Sequence, residues 1–210
     1  MAGPVKSRRR NSAARRLGRS LLPLLAAGLV LGMGRARPRP APVEAPARMP
    51  VIRQIDETRD AADLARIEEW RRKLPGRHAR RHNFAWAQAR IEGLEKNEYF
   101  AHSGIQRLGK FSAEVREEIR EISLRPKKGR FTVLCVNHND EVDGPNCFYR
   151  NSDTERKILE DMAGRMEDAS VRGDVRLYTD LYPCASCRNV MRQFLEVYTN
   201  VNLLVLYRDR

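Results

Sequence analysis

Apolar positions recur along the second half of the chain with two alternating periods, and these define its elements. From Asp153 to Met166 a stripe of Glu155, Ile158, Leu159, Met162 and Met166 follows helical spacing, with a carboxylate on the apolar face. Arg176–Thr179 reads as a strand within the apolar run Val175, Leu177, Tyr178. Cys184 to Tyr198 is a helix carrying Cys187, Val190, Met191, Phe194, Leu195 and Tyr198 on one side. Val201 to Tyr207 is nearly continuous in apolar residues, as expected for a strand covered on both faces. Helix, strand, helix, strand in succession predicts a three-layer α/β domain with parallel strands in its C-terminal half.

The earlier elements are shorter. Glu57 to Lys73 sets Ala61, Leu64, Ala65, Ile67 and Trp70 among charges, an amphipathic lead-in helix stopped at Leu74-Pro75-Gly76. Phe84 to Ile91 favours a strand by its aromatics, although its alanines also suit a helix, and Tyr99 to Gly104 reads as a loop or second short strand. Ser112 caps a helix to Ile122. The basic turn 125–130 leads into a strand over Phe131 to Val136, and a polar loop from Asn137 to Asn146 precedes Cys147-Phe148-Tyr149. No internal repeat of solenoid period is present.

Charge changes this picture only at the N-terminus. The net charge is +13, but residues 1–50 hold 11 Lys/Arg against the single acid Glu44, leaving 29 bases against 26 acids for the rest. Global charge is thus weak support for a nucleic-acid partner. Lys6, Arg8 to Arg10, Arg15, Arg16 and Arg19 precede an uncharged run from Ser20 to Gly34, the n-region and h-region of an export signal. That run is shorter than the roughly 20 residues of a membrane-spanning helix. A Pro/Ala-rich linker extends to Pro50. The expected division is therefore 1–50 signal-like segment and linker, disordered and basic; 51–76 lead-in helix; and 77–210 catalytic domain. Export, with a short uncleaved anchor as the alternative, is the expected localisation.

The chemistry centres on Pro183-Cys184-Ala185-Ser186-Cys187. Proline presets a helix start, so both thiols fall in the first turn and share a face. Helix N-terminal amides favour thiolate, the metal-binding form. Asp153-Thr154-Glu155 opens the preceding helix, so the strand between them brings both helix starts to one sheet edge. Three ligands plus a proton-shuttling carboxylate are what a zinc deaminase requires, its signature being H-x-E followed by P-C-x-x-C. Asp153, Cys184 and Cys187 are then the Zn²⁺ ligands and Glu155 the general acid/base. Each half also has a plainer reading. Ser152-Asp153-Thr154-Glu155 matches a capping box. The C-x-x-C pair matches a redox pair or half of a structural zinc site completed by Cys135, Cys147 and His138. Otherwise Cys135 and Cys147 read as core residues rather than as a disulfide.

Those motifs, with Asn83-Phe84-Ala85-Trp86-Ala87 and Tyr99-Phe100-Ala101-His102-Ser103-Gly104-Ile105, give a chain that over about residues 80–207 resembles the bacterial polymorphic-toxin deaminases of the cytidine deaminase-like superfamily. The resemblance implies a mixed sheet flanked by helices, zinc, and deamination of a nucleic-acid base, usually cytosine to uracil in DNA or RNA. It also implies action in the cytoplasm of a target cell and a cognate immunity protein as partner; the shortness of the uncharged run gives the expectation of no stable membrane span. Asn83, His102 and Ser103 fall on family-like motifs and are candidate substrate contacts. The basic runs 77–82 and 125–130 are candidates for phosphate, and Trp86 or Tyr182 for base stacking. Two departures stand out. Asp153 occupies a position that is His or Cys in most of the superfamily, which adds a negative charge that Arg150 or Arg156 can offset. A fifth strand beyond residue 207 is absent or supplied from elsewhere. The alternatives are a free nucleoside or nucleotide deaminase and a non-catalytic structural-zinc interaction module.

Overall fold

The computed structural model describes residues 47–208, so the signal-like segment and most of the linker lie outside the described residues. The described residues form one compact unit. Its centre is a five-stranded sheet of β1 (Val51–Gln54), β2 (Phe84–Ile91), β3 (Glu98–His102), β6 (Gly173–Thr179) and β7 (Val201–Tyr207) in the order β1-β7-β6-β2-β3. The pairs β1/β7 and β7/β6 are parallel; β6/β2 and β2/β3 are antiparallel. A separate two-stranded ribbon joins β4 (Cys135–Val136) to β5 (Phe148–Tyr149). The helices are α1 (Ala61–Arg72), α2 (Ala113–Glu118), α3 (Thr154–Arg165) and α4 (Ala185–Val197). None of the described helices is long and apolar enough to cross a membrane.

The alternation within β2 decides the layering. Phe84 and Trp86 pack with Ile67 and Leu74 from α1 and its end, and with Phe100, Ile119 and Ile122, on one face. Ala85, Ala87 and Ala89 face the other way, into a core with Ile158, Leu159 and Met162 of α3 and Val190, Met191 and Phe194 of α4. The alanines that made β2 ambiguous in sequence are thus the small residues on which the helix layer sits. The apolar stripes of α3 and α4 and the double-sided burial of β7 follow the sequence pattern.

One open expectation is resolved and two are corrected. The fifth strand comes from the beginning of the fold: Val51–Gln54 lies parallel to β7, Val51 opposite Leu204 and Gln54 opposite Tyr207, and Ile55 N–H donates to Tyr207 O at 2.8 Å. The 51–76 lead-in segment thus holds a strand ahead of its helix, which starts at Ala61, within the Glu57–Lys73 span read from sequence, and belongs to the core through Ile67. Second, Phe131 to Val136 is not a continuous strand, because helix side chains take its amides. Glu160 of α3 accepts from Arg130 and Phe131 N–H at 2.7 and 3.1 Å. Gln193 and Ser186 of α4 accept from Thr132 and Leu134 at 2.9 and 3.0 Å. Third, Cys135 and Cys147 are bonded to each other as a disulfide, since β4 and β5 bring the ends of the polar loop together. They are not free core thiols.

β1 gives the first prediction. A chain starting at residue 47 should melt like the whole protein, whereas one starting at residue 57 loses a strand, part-buried Ile52, and the Arg53–Asp60 pair with bonds of 2.6 and 2.7 Å. The expected cost is about 2 kcal/mol or more, about 5 °C in Tm. Equal melting of the two truncations would show that β1 contributes nothing.

Candidate active site

Helix α3 leads into β6 and helix α4 follows it, so both begin at the end of β6 marked by Thr179. Asp153 and Cys184 are their N-cap residues, each in extended conformation and neither spending its side chain on capping. Their side chains are free to converge. Asp153 Oδ2 lies 3.3 Å from Cys184 Sγ and 3.3 Å from Cys187 Sγ, and the two sulfurs are 3.4 Å apart. A tetrahedral zinc site with bonds of about 2.0 Å to oxygen and 2.3 Å to sulfur has ligand–ligand edges of about 3.5–3.8 Å. The triad is within a few tenths of an ångström of that spacing. Its donor chemistry fits as well. The Cys187 thiol is held well above its ordinary range by its hydrogen bond with Cys184, then by burial, then by the charges of Glu155 and Asp153. Such crowding of potential anions is what a dication relieves.

Glu155 is 3% exposed. Thr154 Oγ1 donates to its Oε2 at 2.9 Å and Thr179 Oγ1 to its Oε1 at 3.0 Å. Both hydroxyls in turn accept from Asn83 Nδ2, at 2.7 and 2.9 Å. One amide thus orients two hydroxyls, which orient one carboxylate. Burial pushes the Glu155 carboxyl above its usual range, and the Asp153 charge adds to this. The capping box is not formed, because the N-cap is Asp153 and the Glu155 carboxylate faces the two threonines. The ligand set of a closed structural zinc site is not assembled either. Cys135 and Cys147 are tied to each other, and the group they form with Asp143 is separate from the Asp153 group.

A cavity of 430 Å³ opens onto these residues, lined also by His82, Asn83, Ser103, Leu181 and Tyr182. Asn83 and Ser103, the candidate substrate contacts, both line this cavity. Asn83 Oδ1 is buried and accepts from no protein group. Ser103 Oγ accepts from Asn83 N–H at 3.0 Å. His102 is not in the lining. It is fully buried, with Nε2–H donating to Arg81 O at 2.8 Å and Nδ1 accepting from Gly104 N–H at 3.2 Å. It pins the segments that carry Asn83 and Ser103 instead of touching a ligand. Trp86 is likewise buried in the α1 face, whereas Tyr182 is half-exposed at the cavity. Of the two basic runs only His82 reaches the lining. Arg150 lines the cavity, while Arg156 is buried against Glu160 and Asn151 O. The sequence reading missed Thr154 and Thr179 as the carboxylate's partners, and Asn137, His138 and Asp140 as a wall of the cavity. Only the topology brings them there.

An α/β sheet whose adjoining helix starts present D-x-E and P-C-x-x-C to one cavity defines a deaminase-type enzyme. The Toxin-deaminase family, described as the BURPS668_1122 family of deaminases, matches residues 67–209, and the chain belongs to it. It is thus a toxin deaminase of the cytidine deaminase-like superfamily, a hydrolytic enzyme. No curated protein and no solved structure matches the chain.

His102 carries a pH prediction. Burial lowers its pKa from 6.5 to about 4, and protonation at Nδ1 would set two donors against each other at Gly104. The unfolded chain therefore takes up this proton first, so stability present above pH 6.5 is lost progressively as pH falls toward 4. The loss between pH 6.5 and 5 should be about 2 kcal/mol. Chemical denaturation of wild type and His102→Gln at pH 7 and pH 5 checks this: the variant should show a smaller difference, and equal differences would contradict it.

Proposed function

We propose that this enzyme deaminates cytosine in single-stranded or otherwise accessible DNA or RNA, with Asp153, Cys184 and Cys187 holding zinc and Glu155 carrying protons. The observation that supports it most is the buried Glu155 carboxylate, fixed by two hydroxyls beside a zinc-compatible triad. The cavity volume lies in the small-ligand range of roughly 300–1,000 Å³ and accommodates one nucleotide. Bound in the triad, zinc would supply Lewis-acid activation of a water. Glu155 would take one proton from the attacking water at a carboxylate oxygen and deliver it to N3 of the base as the water oxygen bonds to C4. It would then carry the remaining hydroxyl proton to N4, so that the C4–N4 bond breaks, ammonia leaves and the C4 carbonyl of uracil forms. A carboxyl raised above its usual range by burial suits a group that must both take and give a proton. Asn83 Oδ1 offers an acceptor to a nucleotide N–H or O–H, and Ser103 borders the same edge. The signal-like segment and the toxin family together support export, action in a target-cell cytoplasm, and a cognate immunity protein as partner.

Purified protein incubated with ssDNA, RNA and free cytidine, with uracil or uridine measured on each, tests the reading. Deamination of cytidine alone would favour the nucleoside enzyme. Glu155→Gln should stay folded and zinc-loaded yet lose about 100-fold to 10,000-fold in rate; wild-type turnover by that variant would remove Glu155 from the chemistry. Metal analysis should find about one zinc per wild-type chain and little in Cys184→Ser. Full retention in the variant would place the metal elsewhere.

A further inference from the structure

The cavity wall that the sequence left as a polar loop is built more firmly than such a loop needs to be. A two-stranded ribbon with two residues per strand is not stable by itself. Here the Cys135–Cys147 disulfide closes its neck. Inside the loop Asn137 Oδ1 accepts from Asn139 and Glu141 N–H at 2.9 and 3.0 Å. Asp140, at φ 63°, adopts a left-handed conformation that aspartate tolerates better than most residues. Its carboxylate is anchored on α4. Oδ1 accepts from Ala185 N–H at 2.6 Å, in the first turn of α4, and Oδ2 from Arg188 Nη2 at 2.8 Å.

What this scaffold holds has the character of a nucleotide shelf. Phe148 is 43% exposed, with the Arg150 guanidinium 4.2 Å from its ring centre and the His138 ring 5.7 Å away. Both His138 and Arg150 line the cavity. Arg188, held by Asp140, lies 5.5 Å from the ring centre of Tyr182, another cavity residue. Phe148 behind the cavity residue Arg150, and the cavity residue Tyr182 beside Arg188, pair aromatic faces with guanidinium groups, a combination that suits bases on stacking surfaces and phosphates on cations.

We propose that residues 135–149 form a disulfide-braced substrate wall, in which Cys135, Cys147 and Asp140 are positioning residues holding His138, Phe148 and Arg150 against the nucleotide next to the target base. This rests on the reading of the site as a nucleic-acid deaminase. A phosphine reductant can release the brace. The S–S bond breaks, the phosphine is oxidised to its oxide with oxygen from water, and the two water protons go to the two thiols.

The test uses full-length, zinc-loaded Glu155→Gln protein, which binds without turnover. Affinity for a fluorescein-labelled single-stranded oligonucleotide is measured by anisotropy before and after treatment with tris(carboxyethyl)phosphine. It is also measured for Cys135→Ser/Cys147→Ser and for Asp140→Ala in the same background, with zinc content determined alongside. Reduction and each variant should weaken oligonucleotide binding about tenfold, the order of one lost stacking contact. Binding of cytidine monophosphate, which has no neighbouring nucleotide, should weaken severalfold less than oligonucleotide binding does. The double-serine protein should no longer respond to phosphine. Should it misfold, reduced parent protein and Asp140→Ala decide the matter. Unchanged oligonucleotide affinity in these, or equal weakening of oligonucleotide and monophosphate, would overturn the proposal. Oxidised parent protein that binds no oligonucleotide contradicts the polynucleotide reading itself, a result distinct from binding that ignores the brace.

Discussion

A carboxylate buried beside three further potential anions is the constraint on which this structure turns. Removing an ion from water costs several kcal/mol even after the protein relaxes, so Glu155 persists only where other groups compensate. The compensation is spread over the topology. Thr154 precedes Glu155 on α3, Thr179 ends β6, and Asn83 leads into β2, yet all meet at one carboxylate. The first turns of α3 and α4 add their amide dipoles, and the Asp153–Cys184–Cys187 set is suited to a dication. Both helices must start at the same sheet edge for this to hold. The helix–strand–helix order around β6 provides that.

A second buried network keeps that edge in register. Arg71 of α1 makes paired bonds to Asp180 at 2.6 and 3.0 Å, and Asp180 also accepts from Tyr178 Oη at 2.8 Å and Phe84 N–H at 3.2 Å. Asp180 follows Thr179, and Phe84 follows Asn83. The lead-in helix therefore fixes, from the opposite face of the sheet, the two segments that orient Glu155. Breaking a buried pair of this kind typically costs about 3–5 kcal/mol because one charge is left uncompensated. β1 and α1 are in this sense part of the site's support, although neither touches the cavity.

That D-x-E and P-C-x-x-C meet at one cavity was legible because local sequence carries both motifs. D-x-E and P-C-x-x-C each need only a helix start, and the apolar stripes of α3 and α4 give the helices away. The five-stranded sheet was legible except at its edge, since the four residues of Val51–Gln54 include Arg53 and Gln54 and form a strand only by pairing with β7. The Cys135–Cys147 bond was hidden because pairing depends on a two-residue ribbon that no periodicity announces. His102 looked like a ligand contact from its motif. Its role was set by Arg81 O and Gly104 N–H, partners that only the folded chain supplies.

The central claim is that one aspartate and two cysteines make an open zinc site. Zinc K-edge X-ray absorption on the purified protein measures this ligand set directly. The account predicts two sulfur scatterers at about 2.3 Å and two oxygen scatterers at about 2.0–2.2 Å, without the multiple scattering of imidazole. Four sulfur scatterers, or a clear imidazole signature, would contradict it.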